Sequence, residues 1–372
     1  MGKAIRDLED RLCRYFGRKH CILAGRCTAA IYAVLRALEI APGKVALATI
    51  SNPAPANAVL YAGLEPIFCD INLNDFNIDI VSLRELIEKQ PKIKAIIAVH
   101  LFGQPADILE ISHLARTRGL YLIEDVAQAM GGKYQGKRLG SFGDVSVVSF
   151  AHTKILDVGL GGAALTDDAE LAGRVREEVN KLPPIPENFL RMSEEYRKLY
   201  YILKPLAETN PRLNELFVPL PDIYKDMYLF KISEEVAIRV LREMDMLDDY
   251  VVIRRRNALE YQQILTHPDI IHPLYQEEGV YWRYSFLIKG DRQKEICQSL
   301  RQKGIDISNW YPPMHRWYIP GIKQGDEKFN NANYFASHIC NLWTDPSQSI
   351  SRVRTIGKAL LELLNGDSRN SE

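Results

Sequence analysis

The sequence predicts an α/β protein with a three-layer large domain, built on a mostly parallel sheet, and a smaller α/β domain after it. Short apolar segments alternate with helical patterns from residue 20 to about 166, which is typical of a parallel sheet with helices on both faces. A second strand-and-helix pattern begins near residue 280. The 372 residues are long enough for two or three domains. We therefore predict a large domain at 1–245 and a small C-terminal domain at 246–372.

The elements of the large domain follow from the spacing of apolar residues. Seven predicted strands are short, mostly apolar runs, and they lie at 21–25, 45–50, 66–71, 94–100, 120–125, 145–150 and 162–166. Three predicted helices have apolar residues three or four positions apart, at 28–40, 81–90 and 108–119. Parallel sheets bind ligands beyond the carboxyl ends of their strands. That edge is predicted to carry Thr28, the Asn52 loop, His100, Asp125 and Lys154.

The rest of the chain contains an insertion and the smaller domain. Residues 181–227 have prolines near both ends and an aromatic-rich helical pattern between them, so we predict an insertion into the large domain. A long helix is predicted at about 233–265, with a break near Leu247. The small domain is predicted to contain a strand at 280–290, helices at 292–304 and about 349–365, and a polar tail.

Composition and charge exclude several classes of function. Forty-seven basic residues balance forty-seven acidic ones, so nothing favours nucleic acid or an anionic membrane as a partner. No apolar run approaches the roughly 20 residues of a membrane span, and the charged amino terminus lacks the core of a signal peptide. The six cysteines and eight histidines show no metal-ligand spacing. We therefore predict a cytoplasmic protein with reduced thiols and no metal.

One lysine stands directly after a predicted buried strand, in the stretch VSVVSFAHTKILDVGLGGAAL at 145–165. Lysines are mostly solvent exposed, so a solvated side chain is the ordinary interpretation of Lys154. The alternative is a reactive amine that forms an imine with a carbonyl group. The residues around it are needed to choose between the two.

An imine-forming lysine needs a bound aldehyde, and pyridoxal phosphate is the usual one. Asp125 ends a predicted strand and could hold the pyridine nitrogen protonated. Thr28 begins a predicted helix and Ser149 ends a strand, so both could bind the phosphate. Each residue also has a structural alternative, as a helix cap for Asp125 or Thr28 and as a polar strand end for Ser149. Singly, these signals are weak.

In this order, the motifs make the chain resemble the DegT/DnrJ/StrS family of pyridoxal-phosphate-dependent sugar aminotransferases. The resemblance covers nearly the whole chain and rests on six blocks: NAVLYAGLEPIFCDIN, VHLFGQPADI, IEDVAQAMGGKYQGKRLGSFGDVSVVSF, GGAALTDD, EMDMLDDYVVIRRRNALEY and WYPPMH. It implies the fold type I of pyridoxal-phosphate transferases. It also implies that Lys154 forms the imine with the cofactor and moves the proton.

The resemblance implies roles for further residues. Asp125 would pair with the pyridine nitrogen and Gln128 would lie near the ring hydroxyl. Ser149 and the backbone amides of Cys27 and Thr28 would hold the phosphate. The resemblance also places His315 on the substrate side. Two further candidates rest on the residues themselves: His152 as a helper in acid–base chemistry, with simple packing as the alternative, and Tyr311 on the substrate side, where it could stack on a sugar or base or else pack against apolar side chains.

Three positions depart from the pattern of the family. Asn52 stands where relatives usually have an aromatic ring stacked on the cofactor. Cys27, preceded by Arg26, replaces the glycine that often comes before the phosphate-loop threonine. Leu229 replaces an asparagine that reaches the phosphate of the neighbouring subunit, and Lys231 replaces an arginine. Lysine can still neutralise a phosphate as a point charge.

The resemblance implies an aminotransferase that moves an amino group from glutamate or glutamine to a nucleotide-linked keto sugar. A keto-cyclitol or another ketone is the alternative acceptor. Sugar dehydratases of the family replace the lysine with histidine, and Lys154 argues against that activity. A non-catalytic binding or regulatory protein on the same fold is a third alternative. The resemblance also implies a homodimer with shared active sites, to which the segment around Lys231 contributes across the interface.

Overall fold

The computed structural model describes residues 2–210, 213, 216–217, 220–316 and 325–366. Its first half alternates strands and helices: α1 (Lys3–Phe16), β1 (His20–Ala24), α2 (Cys27–Ala37), β2 (Lys44–Ala48), α3 (Ala54–Tyr61), β3 (Glu65–Cys69), α4 (Ile80–Lys89), β4 (Ile93–Val99), α5 (Ile108–Thr117), β5 (Tyr121–Asp125), β6 (Lys133–Tyr134), β7 (Lys137–Arg138), β8 (Val145–Ser149) and β9 (Gly162–Thr166). Helices dominate the second half of the chain: α6 (Ala169–Lys181), α7 (Phe189–Thr209), α8 (Leu220–Ile223), α9 (Glu234–Glu243), α10 (Leu247–Ile264), β10 (Ile270–Ile271), β11 (Arg283–Ile288), α11 (Gln293–Gln302), β12 (Ile307–Ser308), α12 (Asn330–His338), β13 (Ile339–Trp343) and α13 (Ile350–Gly366).

The main sheet has seven strands in the order β1-β9-β8-β5-β4-β2-β3. Strand β9 runs antiparallel to both of its neighbours, and the other paired strands are parallel. The strands are buried along almost their whole length, as expected for a sheet covered on both faces. The predicted α/β class and the mostly parallel sheet are therefore confirmed.

The seven predicted strands all exist, and their bounds agree with the structure to within two residues. The predicted long helix is broken where expected. Helix α9 ends at Glu243, a 3₁₀ turn covers Met244–Met246, and α10 begins at Leu247. The prediction missed the hairpin of β6 and β7, helices α3, α6 and α12, and the strands that flank β11. Several of these elements have only two residues, too few to show a periodic pattern.

A second, antiparallel sheet has the strand order β10-β11-β13-β12. Tyr261, Tyr284 and Phe286 belong to its separate hydrophobic core. Other residues after position 245, among them Trp282 and Tyr311, belong to the core of the main sheet. The C-terminal part of the chain therefore packs against the large sheet. The domain boundary near residue 245 stays a prediction.

The predicted insertion at 181–227 contains helix α7, and its aromatic residues pack towards the main sheet. The Phe189 ring meets the Phe230 ring edge-on, with centroids 5.6 Å apart, and Tyr196 meets Tyr228 in the same way at 6.2 Å. Residues 211–212, 214–215 and 218–219 of this segment, and the polar tail from 367, lie outside the described residues. Among the residues described, no helix is both long and apolar enough to span a bilayer.

Candidate active site

The carboxyl ends of the central strands open into a cavity of about 280 Å³. Strand β5 ends in Asp125, β8 ends in Ser149, and α2 begins at Cys27 on the neighbouring side. Nine of the predicted site residues line this cavity: Cys27, Thr28, Asn52, Asp125, Gln128, Ser149, His152, Lys154 and Tyr311. Their roles stay predictions, but the topology of the sheet brings them together as expected for its carboxyl edge.

The lysine stands on a tight loop that leaves β8. Thr153, the residue before Lys154, has a left-handed backbone with φ +68°, a conformation that costs about 1–3 kcal/mol in a non-glycine residue. The carboxylate of Asp157 holds the loop by accepting hydrogen bonds from Thr153 N at 2.7 Å and Gly159 N at 3.1 Å. The loop therefore fixes the direction in which Lys154 leaves the backbone.

The glycines after the lysine allow a close backbone approach. Gly161 has φ +100°, which favours glycine. A Cβ atom on Gly162 would lie 2.3 Å from the backbone N of Cys27, so only glycine fits. Strand β9 can therefore pass directly beside the start of α2, where the predicted phosphate-binding amides lie.

Lys154 is only partly accessible, and its Nζ lies 5.2 Å from the centroid of the Trp282 indole. The indole Nε1 in turn donates a hydrogen bond to the carbonyl of Thr153. Burial lowers the pKa of Lys154; Asp125 acts against this change, and the nearby Arg283 adds to it. A lowered pKa increases the neutral fraction of the amine, the form that attacks carbonyls and accepts protons. The ordinary interpretation of a solvated surface lysine does not fit this environment.

Asp125 is buried, and its Oδ1 accepts a hydrogen bond from Ala127 N at 2.9 Å. Burial raises its pKa, while the bond from Ala127 and the charge of Lys154 act in the opposite direction. A cationic ring nitrogen placed against this carboxylate would stabilise its ionised form. The buried carboxylate of Asp125 therefore fits the protonated pyridine nitrogen of pyridoxal phosphate.

Hydrogen bonds hold three further polar side chains that line the cavity. Gln128 Oε1 accepts a bond from Phe102 N at 2.8 Å, and its Nε2 donates to the Tyr311 hydroxyl at 3.4 Å. Asn52 Oδ1 accepts from Ala54 N at 2.9 Å, at the start of α3. Burial raises the pKa of Tyr311 to about 12, with hydrogen bonds from Asn52 and Gln128 acting against it. The Tyr311 hydroxyl thus stays neutral and can donate to a ligand.

Three predicted residues lie away from the centre of the cavity. His152 lies at its mouth with 86% of its side chain exposed, and its Nδ1 is 3.4 Å from Asp157 Oδ1. His315 and Lys231 do not line the cavity. His315 stacks on Phe329 and its Nδ1 is 2.8 Å from Thr49 Oγ1. Lys231 Nζ donates to the Asn180 carbonyl at 3.0 Å.

Sequence reasoning missed three side chains that line the cavity and a buried arginine that lies against one of them. Tyr228 and Trp282 line the cavity, as does Arg26, which had been noted only as the residue before Cys27. Arg283 is fully buried beside three indole rings. Its Nε and Nη1 have no hydrogen-bond partner within the described part of the chain. The one available signal was an arginine inside the aromatic stretch VYWRYSF, which no pattern assigns to a site.

The family comparison agrees with this geometry. The model of the DegT/DnrJ/EryC1/StrS aminotransferase family matches residues 1–361. The UDP-N-acetyl-3-dehydro-alpha-D-glucosamine 3-aminotransferase of Acidithiobacillus ferrooxidans is 41% identical over 326 residues, which cover 87% of this chain and 77% of that protein. GDP-perosamine synthase of Caulobacter vibrioides is 39% identical over 327 residues, covering 85% and 78%. Among solved structures, a family member from Brucella abortus superposes with a TM-score of 0.78 at 24% identity, over 98% of this chain and 91% of that one.

The fold and the site define an enzyme of the pyridoxal-phosphate-dependent aminotransferase class. The chain belongs to the DegT/DnrJ/EryC1/StrS aminotransferase family. The fold and the resemblance predicted from the sequence are both confirmed, as is the predicted cofactor.

Proposed function

We propose that this protein transfers an amino group from glutamate or glutamine to a nucleotide-linked keto sugar. The observation that carries the proposal is the convergence of Lys154, Asp125 and Gln128 on one cavity beside the start of α2. Two relatives at about 40% identity carry names of nucleotide-sugar amination, which supports a sugar acceptor.

When bound, pyridoxal phosphate supplies an aldehyde for the amino group and a ring that withdraws electrons from the adjacent carbon. Lys154 would hold the cofactor, and its amine, kept partly neutral by burial, would move the proton. Asp125 would pair with the ring nitrogen and Gln128 would lie near the ring hydroxyl. Ser149 and the amides of Cys27 and Thr28 would bind the phosphate.

Other residues of the cavity would position the reactants. Asn52 lines the cavity and would cover one face of the cofactor ring, where relatives have an aromatic side chain. His152, at the mouth, would assist proton transfer, with Asp157 holding its imidazole. Tyr311 would donate to the substrate. His315 does not line the cavity, and it would support the substrate side through its contact with Thr49.

The alternatives differ in acceptor or in class. A keto-cyclitol or another ketone remains the alternative acceptor, since the cavity residues contain no feature specific to a nucleotide. The intact lysine argues against a dehydratase, and the complete cofactor set argues against a non-catalytic protein. We also propose a homodimer with shared active sites, acting in the cytoplasm; the absence of a disulfide among the six cysteines is compatible with that compartment.

Half-reaction screening tests the proposal. The holoenzyme is first mixed with each amino donor, and conversion of the bound cofactor to its amine form is followed by absorbance. The amine form is then mixed with nucleotide-linked keto sugars and, separately, with keto-cyclitols. Reoxidation by a nucleotide keto sugar, and not by the matching free sugar, is the expected result. Reoxidation by keto-cyclitols alone would contradict the sugar acceptor.

A further inference from the structure

Arg26 is a cation of the active-site cavity that the mechanism above does not use. It stands at the N-cap position of α2, one residue before Cys27. Besides Lys154, it is the only lysine or arginine among the described residues that lines this cavity. Its side chain thus brings a second positive charge to the cavity, at the helix end where a phosphate would bind.

Two aromatic rings pack against the guanidinium group of Arg26. Its central carbon lies 5.0 Å from the ring centroid of Phe189 and 5.7 Å from that of Tyr228. The Nε atom is buried and has no hydrogen-bond partner among the described residues. A buried cation that lacks an anionic partner is costly. An anion that binds in the cavity next to Arg26 would offset this cost.

The surroundings of Arg26 favour a phosphate as that anion. The first amides of α2, an eleven-residue helix, have no partner within the helix and carry its positive dipole end. Thr28 and Ser149 line the same cavity and offer hydroxyl groups. The helix start, the two hydroxyls and the guanidinium together provide charge and hydrogen-bond donors of the kind that phosphate requires.

The cross-subunit donors expected from the resemblance are altered in this chain. Leu229 has no donor on its side chain and is buried. Lys231 stands where relatives have an arginine and keeps the charge without the bidentate fork. We propose that Arg26 binds the phosphate of pyridoxal phosphate within its own subunit and replaces the phosphate contact that Leu229 has removed. This inference rests on the cofactor of the family and does not depend on the proposed acceptor.

Cofactor binding to the apoprotein tests the role of Arg26 without any turnover. Affinities for pyridoxal phosphate and for pyridoxal, which lacks the phosphate, are measured by quenching of tryptophan fluorescence, since Trp282 lies beside Lys154. Arg26→Met keeps the aliphatic stem on Phe189 and removes the charge. It should weaken pyridoxal phosphate binding roughly 10- to 100-fold, as loss of a charged hydrogen bond does, and leave pyridoxal within about two-fold.

Matched variants keep the test decisive. Arg36→Met, on the same helix but paired with Glu178 outside the cavity, should change neither affinity. Arg26→Lys should bind pyridoxal phosphate with intermediate affinity, because it keeps the charge but not the fork; it also serves if Arg26→Met does not fold. Inorganic phosphate should compete with pyridoxal phosphate in the wild type and in Arg36→Met, and should lose that effect in Arg26→Met.

Two outcomes would overturn the inference. Equal weakening of pyridoxal phosphate and pyridoxal would show that Arg26 only supports the packing of Phe189 and Tyr228. Unchanged cofactor affinity, with a raised KM for a nucleotide-linked acceptor, would assign Arg26 to the acceptor phosphates instead. The cofactor affinities that decide the test do not depend on whether the acceptor is a sugar or a cyclitol.

Discussion

Asp125 supplies a buried carboxylate to the active-site cavity. Its Oδ1 accepts a hydrogen bond from Ala127 N, and Lys154 lines the same cavity. Burial raises the pKa of Asp125 and lowers that of Lys154, so burial favours the neutral form of each residue, while the opposite charges of the two residues act against it. A protonated pyridine nitrogen would reverse this preference at Asp125.

Asp125→Asn should keep the fold and lose most of the activity, because a neutral amide cannot hold the ring nitrogen protonated. The loss should be on the order of 10²- to 10³-fold, as for removal of one preorganised electrostatic group. The measurement is the single-turnover rate of the holoenzyme with glutamate. Asp168→Asn is the control, since Asp168 caps α6 and does not line the cavity. An unchanged half-reaction would mean that the cofactor is oriented differently.

Most of the residues that line the cavity with a proposed role could be predicted from the sequence. The others were missed for a physical reason. Lys154, Asp125 and Gln128 follow strands or stand in recognisable motifs, so their order along the chain indicated their meeting point. Arg26 and Arg283 are single charges in otherwise apolar segments. What makes them notable is burial without a partner, which depends on contacts with Phe189 or with the tryptophans and cannot be predicted from spacing.

Among the secondary-structure elements, β5 has two adjacent carboxylates with different tasks. Asp125 faces the cavity, whereas Glu124 accepts hydrogen bonds from Gly140 N at 2.6 Å, Phe142 N at 2.8 Å and Gly143 N at 3.1 Å. His100 Nε2 lies 3.1 Å from the same carboxylate. Glu124 thus anchors the turn that leads into β8 and, through β8, the position of Lys154.

Glu124→Gln should destabilise the protein by about 1–3 kcal/mol, because the new amide group cannot accept bonds from all these donors. Burial acts to raise the pKa of Glu124, but hydrogen bonds from His100, Gly140 and Phe142 outweigh it and lower the pKa. A lowered pKa gives stability that is present above the unfolded value of about 4.3 and lost as the pH falls through the folded value.

Urea unfolding of wild type and Glu124→Gln at a series of pH values measures this contribution. The difference in unfolding free energy should be largest near neutral pH and shrink below about pH 4. Glu110→Gln, at an exposed position of α5, should show little difference at any pH. If the difference in unfolding free energy between wild type and Glu124→Gln stays constant as the pH falls below about 4, the charge of Glu124 does not stabilise the turn.

The helices with strong apolar periodicity were predictable, and so were the strands of the main sheet that form continuous buried runs, as in β8, whose five residues are all buried. Helix α3 was missed because its sequence, APANAVLY, is short and mostly apolar and shows no helical stripe. The two-residue strands β6 and β7 depend on their pairing with each other, which is a tertiary property.

For the assembled enzyme, the proposed homodimer predicts that each active site contains residues from both subunits. The resemblance assigns Lys231 to the partner's site, whereas Arg26 and Lys154 line one cavity of the same chain. Mixing inactive Lys154→Ala subunits with Lys231→Glu subunits should restore some activity, because one site of the mixed dimer then has both wild-type residues. Mixing Lys154→Ala with Arg26→Glu should restore none, because every site lacks one of the two residues.

The mixing experiment is read by activity per dimer after refolding or slow exchange, with sizing at low protein concentration. Rescue in both mixtures would contradict the placement of Arg26 and Lys154 in one subunit's site. A stable monomer with full activity would exclude shared sites.

The most direct test of the aminotransferase mechanism is chemical trapping of the cofactor on the protein. Borohydride reduces the bond between a lysine and pyridoxal phosphate to a stable secondary amine, and peptide mass mapping then identifies the modified residue. The proposed mechanism predicts one modified lysine per chain, at Lys154, with loss of both the modification and the visible absorption in Lys154→Ala. Modification of a different lysine, or a Lys154→Ala variant that still transfers amino groups at the wild-type rate, would contradict it.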